Sequence, residues 1–219
     1  MPDQNDTENL VARAADGDSR AVSALMERYR DRLKRMVALR LDRRLQKRVD
    51  PSDVVQEALI VASNRLDEYA LKPPAGFYLW LRWITADKLL NAHREHLGTQ
   101  KRDVSQEVSI YRRPMPEACS VSLAQQLLGQ LTSPTQAVER AELQLLVQDV
   151  LNSMDPMDRE ILVLRNFEQL STTETAEALG IKRSTASKRY IAALKRLKQT
   201  LSSTSEFRDR HDFHSDTEQ

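Results

Sequence analysis

Residues 171–201, STTETAEALGIKRSTASKRYIAALKRLKQTL, admit few folds. Ser171 and Glu174 form an S-x-x-E pair, in which each residue satisfies an orphan backbone donor of the other at a helix start. A short helix follows, with Ala176 and Leu179 facing inward. Gly180 then supplies a turn, because a left-handed backbone costs little without a Cβ. Ile181 plugs the gap between this helix and the next. The second helix starts near Arg183 or Ser184. Ala186, Tyr190, Leu194, Leu197 and Leu201 recur at three- and four-residue steps as its buried stripe. Its other face carries Lys182, Arg183, Lys188, Arg189, Lys195, Arg196 and Lys198, and no acid intervenes before Glu206. A capped short helix, a glycine turn and a single-signed basic helix make a helix-turn-helix of the kind that enters the major groove of DNA. A solvated amphipathic helix is the plainer alternative. The unbroken sign favours DNA.

The net charge of the 219-residue chain is only +1, so its placement matters more than its sum. Residues 28–48 hold ten Lys or Arg and two Asp, giving a second basic segment far from the first. Two such segments suit an anionic partner such as nucleic acid. Five glycines, no alternating β-branched runs and abundant Leu, Ala, Arg, Glu and Gln predict an all-α protein. The sole cysteine, Cys119, allows neither an internal disulfide nor a multi-cysteine metal site. The polar, acidic start MPDQNDTENL is no secretory signal, and no apolar run reaches the roughly 18 residues of a membrane span. These features predict a cytoplasmic protein.

The pattern divides the chain. Residues 1–8 read as a polar tail, and Leu10, Val11, Ala14 and Ala15 as a short helix ended by the Asp16-Gly17-Asp18 turn. Ser19 is placed to cap a helix with the stripe Val22, Leu25, Tyr29, Leu33, Met36, Val37 and Leu41. The next helix starts at Asp50-Pro51-Ser52-Asp53, a cap followed by proline at the first helical position. Val54, Ala58, Leu59, Ala62, Leu66 and Tyr69 face inward from it. Asp50, Asp53, Gln56 and Glu57 lie on another face; capping accounts for the two Asp residues but leaves Gln56 and Glu57 unexplained, so these read as a polar docking face. A stiff loop over 71–76 holds Lys72, Pro73 and Pro74. The helix after it carries Phe77, Tyr78, Trp80 and Trp83. Phe77, Leu81 and Ile84 already supply a buried face. Tyr78, Trp80 and Trp83 therefore read as aromatic surface beside Arg82, Lys88 and Arg94, suited to stacking on unpaired bases. The pattern weakens over 98–133, a linker with a helical patch at 122–131. Ser133-Pro134 and Asp155-Pro156-Met157-Asp158 announce further helices. Residues 202–219 read as a disordered acidic tail.

Taken together, the sequence resembles bacterial RNA polymerase sigma factors of the extracytoplasmic-function (ECF) group. The resemblance is carried by Asp50-Pro-Ser-Asp53-Val-Val-Gln56-Glu57, by Phe77-Tyr-Leu-Trp80-Leu81-Arg82-Trp-Ile84, by Asp158-Arg159-Glu160 and by the helix-turn-helix. It implies two small helical domains, over 7–97 and 134–201, joined by the linker 98–133. The first would dock on the β′ clamp helices of core RNA polymerase through Asp53, Gln56 and Glu57. It would open the -10 element with Lys72, Tyr78, Trp80, Trp83 and Asp87, the 71–76 loop capturing a flipped base. The second would be held by the β flap and read the -35 element of promoter DNA with Lys182, Arg183, Ser184, Ser187, Lys188 and Arg189. Arg183 and Arg189 are expected mainly on phosphate, and Ser187 and Lys188 nearer base edges. Asp87 and Asn91 stand where many relatives carry Asn and Asp, and Ala192 where many carry a basic residue. Many members of the group are held inactive by an anti-sigma protein, so such a partner belongs to the expectation.

Two other readings compete. A stand-alone helix-turn-helix regulator would need a sensor or dimerisation domain, and 10–97 shows neither a Gly-rich ligand site nor a heptad seam. An enzyme would need a motif such as G-x-G-x-x-G or H-E-x-x-H, and neither occurs. His93 and His96, or His211 and His214, each half-fill a metal site at most. No cofactor or metal is expected.

Overall fold

The structure, a computed structural model, describes residues 4–97, 115–129 and 137–203. The described residues form helices and no strand, as an all-α protein requires. The chain divides into two compact units, Met1–Cys119 and Ser120–Gln219. The expected acidic tail lies, beyond residue 203, outside the described residues.

The first unit contains α1 (Gln4–Ala15), α2 (Ser19–Arg40), α3 (Pro51–Asn64), α4 (Leu66–Leu71) and α5 (Phe77–Leu97). α2 packs on α1, α3 and α5, and α3 packs on α5. Helix α1 begins inside the stretch expected as a polar tail. Its Thr7 is buried, with Oγ1 2.9 Å from the Tyr29 hydroxyl. This tertiary hydrogen bond orders a turn that carries no apolar signal. Asp18, not Ser19, caps α2, accepting from the N–H groups of Arg20 and Ala21. Gly17 before it has φ +87°, a conformation that glycine adopts without steric cost. The expected α2 stripe is largely found: Leu25, Tyr29, Leu33, Met36, Val37 and Leu41 are buried, while Val22 is half-buried. Asp50 caps α3 as its position predicts, with Pro51 behind it.

Helix α5 departs from the sequence reading. Phe77, Tyr78, Leu79, Trp80, Leu81 and Arg82 are all buried, and so are Ile84, Thr85 and Ala86. An apolar circumference of this kind belongs to a central helix. Tyr78 is 3% exposed and Trp80 2%, so neither is surface for stacking on bases. They join Tyr29, Tyr69 and Phe77 in an aromatic cluster whose ring centroids lie 4.7–5.9 Å apart. Such pairs add about 0.5–1.5 kcal/mol each beyond area burial. The rings come from α2, α4 and α5, and wheel arithmetic on α5 alone cannot see that enclosure. Trp83 stays half-buried.

Part of the expected linker also belongs to this unit. Residues 115–119 lie against the end of α2. The buried Arg40 donates to the Pro116 carbonyl at 2.9 Å, the Cys119 N–H donates to the Leu39 carbonyl at 2.8 Å, and Ala118 is buried.

The second unit contains α6 (Ser120–Gly129), α7 (Ala137–Ser153), α8 (Pro156–Leu162), α9 (Thr172–Leu179) and α10 (Arg183–Ser203). α6 therefore takes up most of the expected helical patch and packs on α7. α10 packs on α7, α8 and α9. Asp155 caps α8, accepting from the N–H groups of Met157 and Asp158. α8 runs directly into a π turn at Val163–Phe167, closed by Glu168 N–H to Val163 C=O at 3.0 Å. Gln169 follows with φ +56°. Tyr190 of α10 braces this turn: its hydroxyl donates to Asn166 Oδ1 at 2.9 Å, and the Arg165 guanidinium lies 5.1 Å from its ring centre.

His93 of α5 gives the first unit a pH-dependent tie. Its Nε2 accepts the Asp42 N–H at 3.3 Å, which requires that nitrogen to be unprotonated. Burial pushes the imidazole below its ordinary value of 6.5; the Asp42 carboxylate opposes this and Arg44 reinforces it. The folded state then binds fewer protons than the unfolded chain just below pH 6.5. Its contribution to stability is complete above that pH and is lost as the pH falls through the lowered value. Both tryptophans of the chain, Trp80 and Trp83, lie in this unit, so tryptophan fluorescence follows its unfolding. Urea midpoints read this way are expected to fall below pH 6.5, and His93→Gln is expected to flatten that part of the profile. An equal slope in both proteins would remove His93 as the cause.

Candidate nucleic-acid interface

The helix-turn-helix is built from local chemistry. The Ser171 side chain accepts from Glu174 N–H at 3.1 Å, and the Glu174 carboxylate accepts from Ser171 N–H at 2.7 Å. At the far end of α9, Gly180 has φ +65°. Its N–H reaches the Glu177 carbonyl, and the Ile181 N–H reaches the Ala176 carbonyl at 2.9 Å. That pair of bonds is a Schellman close, which glycine favours. It stops α9 and launches α10 two residues later.

The orientation of α10 is set by its contacts with α8. Ala186 and Ala193 are buried, with Tyr190 half-buried between them. Leu197 is also half-buried, but Leu194 is 38% exposed, one step off the expected stripe. The side chain of Leu201 lies outside the described residues. The most deeply buried described positions of α10, 186 and 193, are thus held by alanines.

Two arginines complete the inward face. Asp158, buried at the third position of α8, accepts from Arg189 at 3.0 Å and from Arg196 at 2.6 Å. Arg189 also reaches Asp155 at 3.3 Å. The Asp158 N–H first, and then the Met157 N–H and Arg189, hold the Asp155 carboxyl below the usual range against the opposing effect of desolvation. Arg189 is thus held by two carboxylates of α8 and its cap, while its side chain stays 43% exposed. Lys182, Arg183, Lys188, Lys195 and Lys198 remain exposed, and no described residue pairs with them. Ser184 and Ser187 lie exposed among them, as does Ile191 at 64% exposure. Sequence reasoning missed Ile191, although its spacing of three from Lys188 and four from Ser187 puts it on the same face.

The first unit carries the other candidates. Asp53, Gln56 and Glu57 are exposed along one side of α3, and Ile60 continues that side at 55% exposure. Glu57 faces Lys88 of α5 at 3.6 Å, an exposed pair of little energetic weight. Ile60 was not singled out in the sequence, because an exposed isoleucine inside an apolar helix looks like core. The 71–76 loop projects Leu71, 88% exposed, and the exposed Lys72, with the Tyr69 hydroxyl donating to the Ala75 carbonyl at 3.0 Å. Trp83 and Asp87, one turn apart on α5, are half-buried.

A helix-turn-helix with an unpaired cationic face, preceded by an independent helical unit, defines a DNA-reading protein built as an adaptor. A family model described as ECF sigma factor matches residues 4–203, and the chain belongs to that family. The RNA polymerase sigma-E factor of Streptomyces avermitilis is 32% identical over 155 residues, covering 71% of this chain and 73% of its own. The RNA polymerase sigma-H factor of Pseudomonas aeruginosa is 26% identical, covering 92% of this chain and 96% of its own. Among solved structures, CnrH in complex with the cytosolic domain of CnrY matches with a TM-score of 0.53 at 23% identity, over 91% of this chain and 99% of that one. The likeness to CnrH is one of fold. As a sigma factor the protein binds core RNA polymerase and promoter DNA and directs transcription initiation. The stand-alone regulator is thereby set aside. No helix among the described residues is long and apolar enough to cross a membrane.

Asp158 is the point where the site is most sensitive. Asp158→Ala removes the buried acceptor shared by Arg189 and Arg196, whose own side chains stay 43% and 63% exposed and hydrated, so the change costs about 1–3 kcal/mol. Urea unfolding of the second unit by far-UV circular dichroism should show that loss, with the tryptophan transition of the first unit unmoved.

Proposed function

We propose that the second unit reads the -35 promoter element through the outer face of α10. Lys182 and Arg183 hold phosphates at the start of the helix, and Ser184, Ser187 and Lys188 approach base edges. The observation that carries this reading is the division of the basic residues on α10. Arg189 and Arg196 are spent on Asp158, and five other cations are left on one open side without a described partner. Ile191 adds an apolar group to that side, and a thymine methyl is the base feature it suits.

The first unit, on this reading, docks on core polymerase and opens the -10 element. The α3 side with Asp53, Gln56, Glu57 and Ile60 combines charge with one exposed apolar residue, as the centre of a protein interface does. The exposed Lys72 loop and the half-exposed Trp83 and Asp87 form the surface for the separated strand. Tyr78 and Trp80 support that surface from within the aromatic cluster. The protein acts in the cytoplasm, as an initiation factor that performs no catalysis. Because CnrH is solved in complex with the cytosolic domain of CnrY, a protein that sequesters this chain is also part of the proposal. Neither unit needs high affinity alone, since polymerase converts two weak grips into one bivalent attachment.

Run-off transcription with core polymerase on a library of -35 variants tests the reader. Lys188→Ala should lose about 1–3 kcal/mol at one base position. A uniform loss across all variants would place Lys188 on phosphate. For docking, Glu57→Lys should weaken capture of core polymerase while the far-UV spectrum stays unchanged. Capture at the native level would remove the α3 side from the docking surface.

A further inference from the structure

Residues 28–48 carry ten cations, and the structure shows where most of that charge goes. Arg28 pairs with Asp6 at 3.5 Å and Arg30 with Glu27 at 2.9 Å. Arg32 lies 3.5 Å over the Tyr78 ring, and the buried Arg40 is bound to the Pro116 carbonyl. Lys34 adds a minor electrostatic effect to the Ser52 hydrogen bonds that hold the Asp50 carboxyl below its ordinary value. These are structural uses. Arg43, Lys47 and Arg48, in the turn between α2 and α3, have none: all three are exposed, and no described residue pairs with them.

The turn that presents them is held firmly. Leu41, Leu45 and Val49 are buried at four-residue spacing. The N–H groups of Arg48 and Val49 both reach the Leu45 carbonyl, at 2.8 and 2.9 Å. Asp42 fixes the start of the turn by giving its N–H to His93 and accepting from Arg44 through both carboxylate oxygens, at 2.9 and 3.1 Å. The Arg44 side chain first and its N–H second pull the Asp42 carboxyl down to about 2. Of the two acids between α2 and α3, Asp42 is engaged by Arg44 and Asp50 caps α3. The other three cations sit exposed on this hydrogen-bonded turn. A partner that meets them there spends little on ordering them.

The chemistry of the partner is set by an absence in the turn. Among the described residues of this unit the large exposed apolar ones are Ile60 and Leu71, and neither is in the turn. A protein partner would be expected to find an apolar centre, whereas a phosphate backbone needs only fixed cations. We propose that Arg43, Lys47 and Arg48 form a phosphate-binding site for duplex promoter DNA, separate from the Lys72 loop and from α10. It contributes affinity without reading sequence. The proposal rests on the sigma-factor function of the chain and is independent of the roles given to α3, the Lys72 loop and α10.

The test is promoter binding by holoenzyme reconstituted from the full chain and core polymerase, measured against salt. For the triple variant Arg43→Ala, Lys47→Ala, Arg48→Ala, the slope of log affinity against log salt should become shallower by roughly 2–3, at about 0.9 for each phosphate no longer neutralised. The change should be the same on promoters altered at -10 or -35, with capture of core polymerase and tryptophan fluorescence at native values. Arg43→Lys with Arg48→Lys keeps the charge and should keep the slope. A native slope in the triple variant would overturn the proposal. So would a loss confined to capture of core polymerase, which would make the turn a protein contact. Failure of the unmodified holoenzyme to bind any promoter would instead count against the function itself.

Discussion

One carboxylate bears on which way α10 faces. Asp158 is buried, and a buried carboxylate without cations nearby would be expensive. Arg189 and Arg196, seven residues apart on α10, meet it from the same side of that helix. Ala186 and Ala193 lie on that side too, and both are buried. Once those four positions point inward, helical geometry leaves Ser184, Ser187, Lys188, Ile191 and Lys195 pointing out. The composition of the open face is thus a consequence of a buried ion cluster on the opposite one. The basic residues of this segment have two employments, and only their angular position separates them.

The first unit solves a different problem. It keeps several surfaces available while burying most of α5. The aromatic rings of α2, α4 and α5 supply large buried area from few residues, so the short α4 and the following loop can be held without a long helix behind them. The loop is then free to be polar and exposed at its tip, with Tyr69 holding its far end through Ala75. Basic residues of α2 are used partly as structure: Arg32 covers the Tyr78 ring, and Arg40 holds the segment at 115–119.

What could be read from sequence was local. The caps at Asp50-Pro51 and Asp155-Pro156, the Ser171–Glu174 box and the Gly180 close are all present, because each is decided within four residues. The α2 stripe was legible because a long helix on one side of a core repeats its signal many times. The failures are tertiary. Trp80 looked like surface because three other elements enclose α5. Arg189 looked like Lys188 because nothing in their types says which will meet an acid 31 residues earlier. Ser19 lost the cap of α2 to Asp18, a neighbour of equal propensity. Ile60 and Ile191 were hidden by the rule that isoleucine is buried, a rule that an interface reverses.

The π turn at Val163–Phe167 can also be regarded as an insertion accommodated without a loop. Each residue added to an α-helix rotates everything beyond it by roughly 100°. A bulge absorbs an extra residue inside the helix and re-aims only the elements downstream. In this chain those elements are α9 and α10. A lineage could therefore turn α9 and α10 relative to α8 by gaining or losing one codon in this segment. The caps at Asp155 and Ser171 would survive, and Asp158 would select whichever cations of α10 came round to face it. The bulge gives the fold an angular adjustment that substitution alone does not offer.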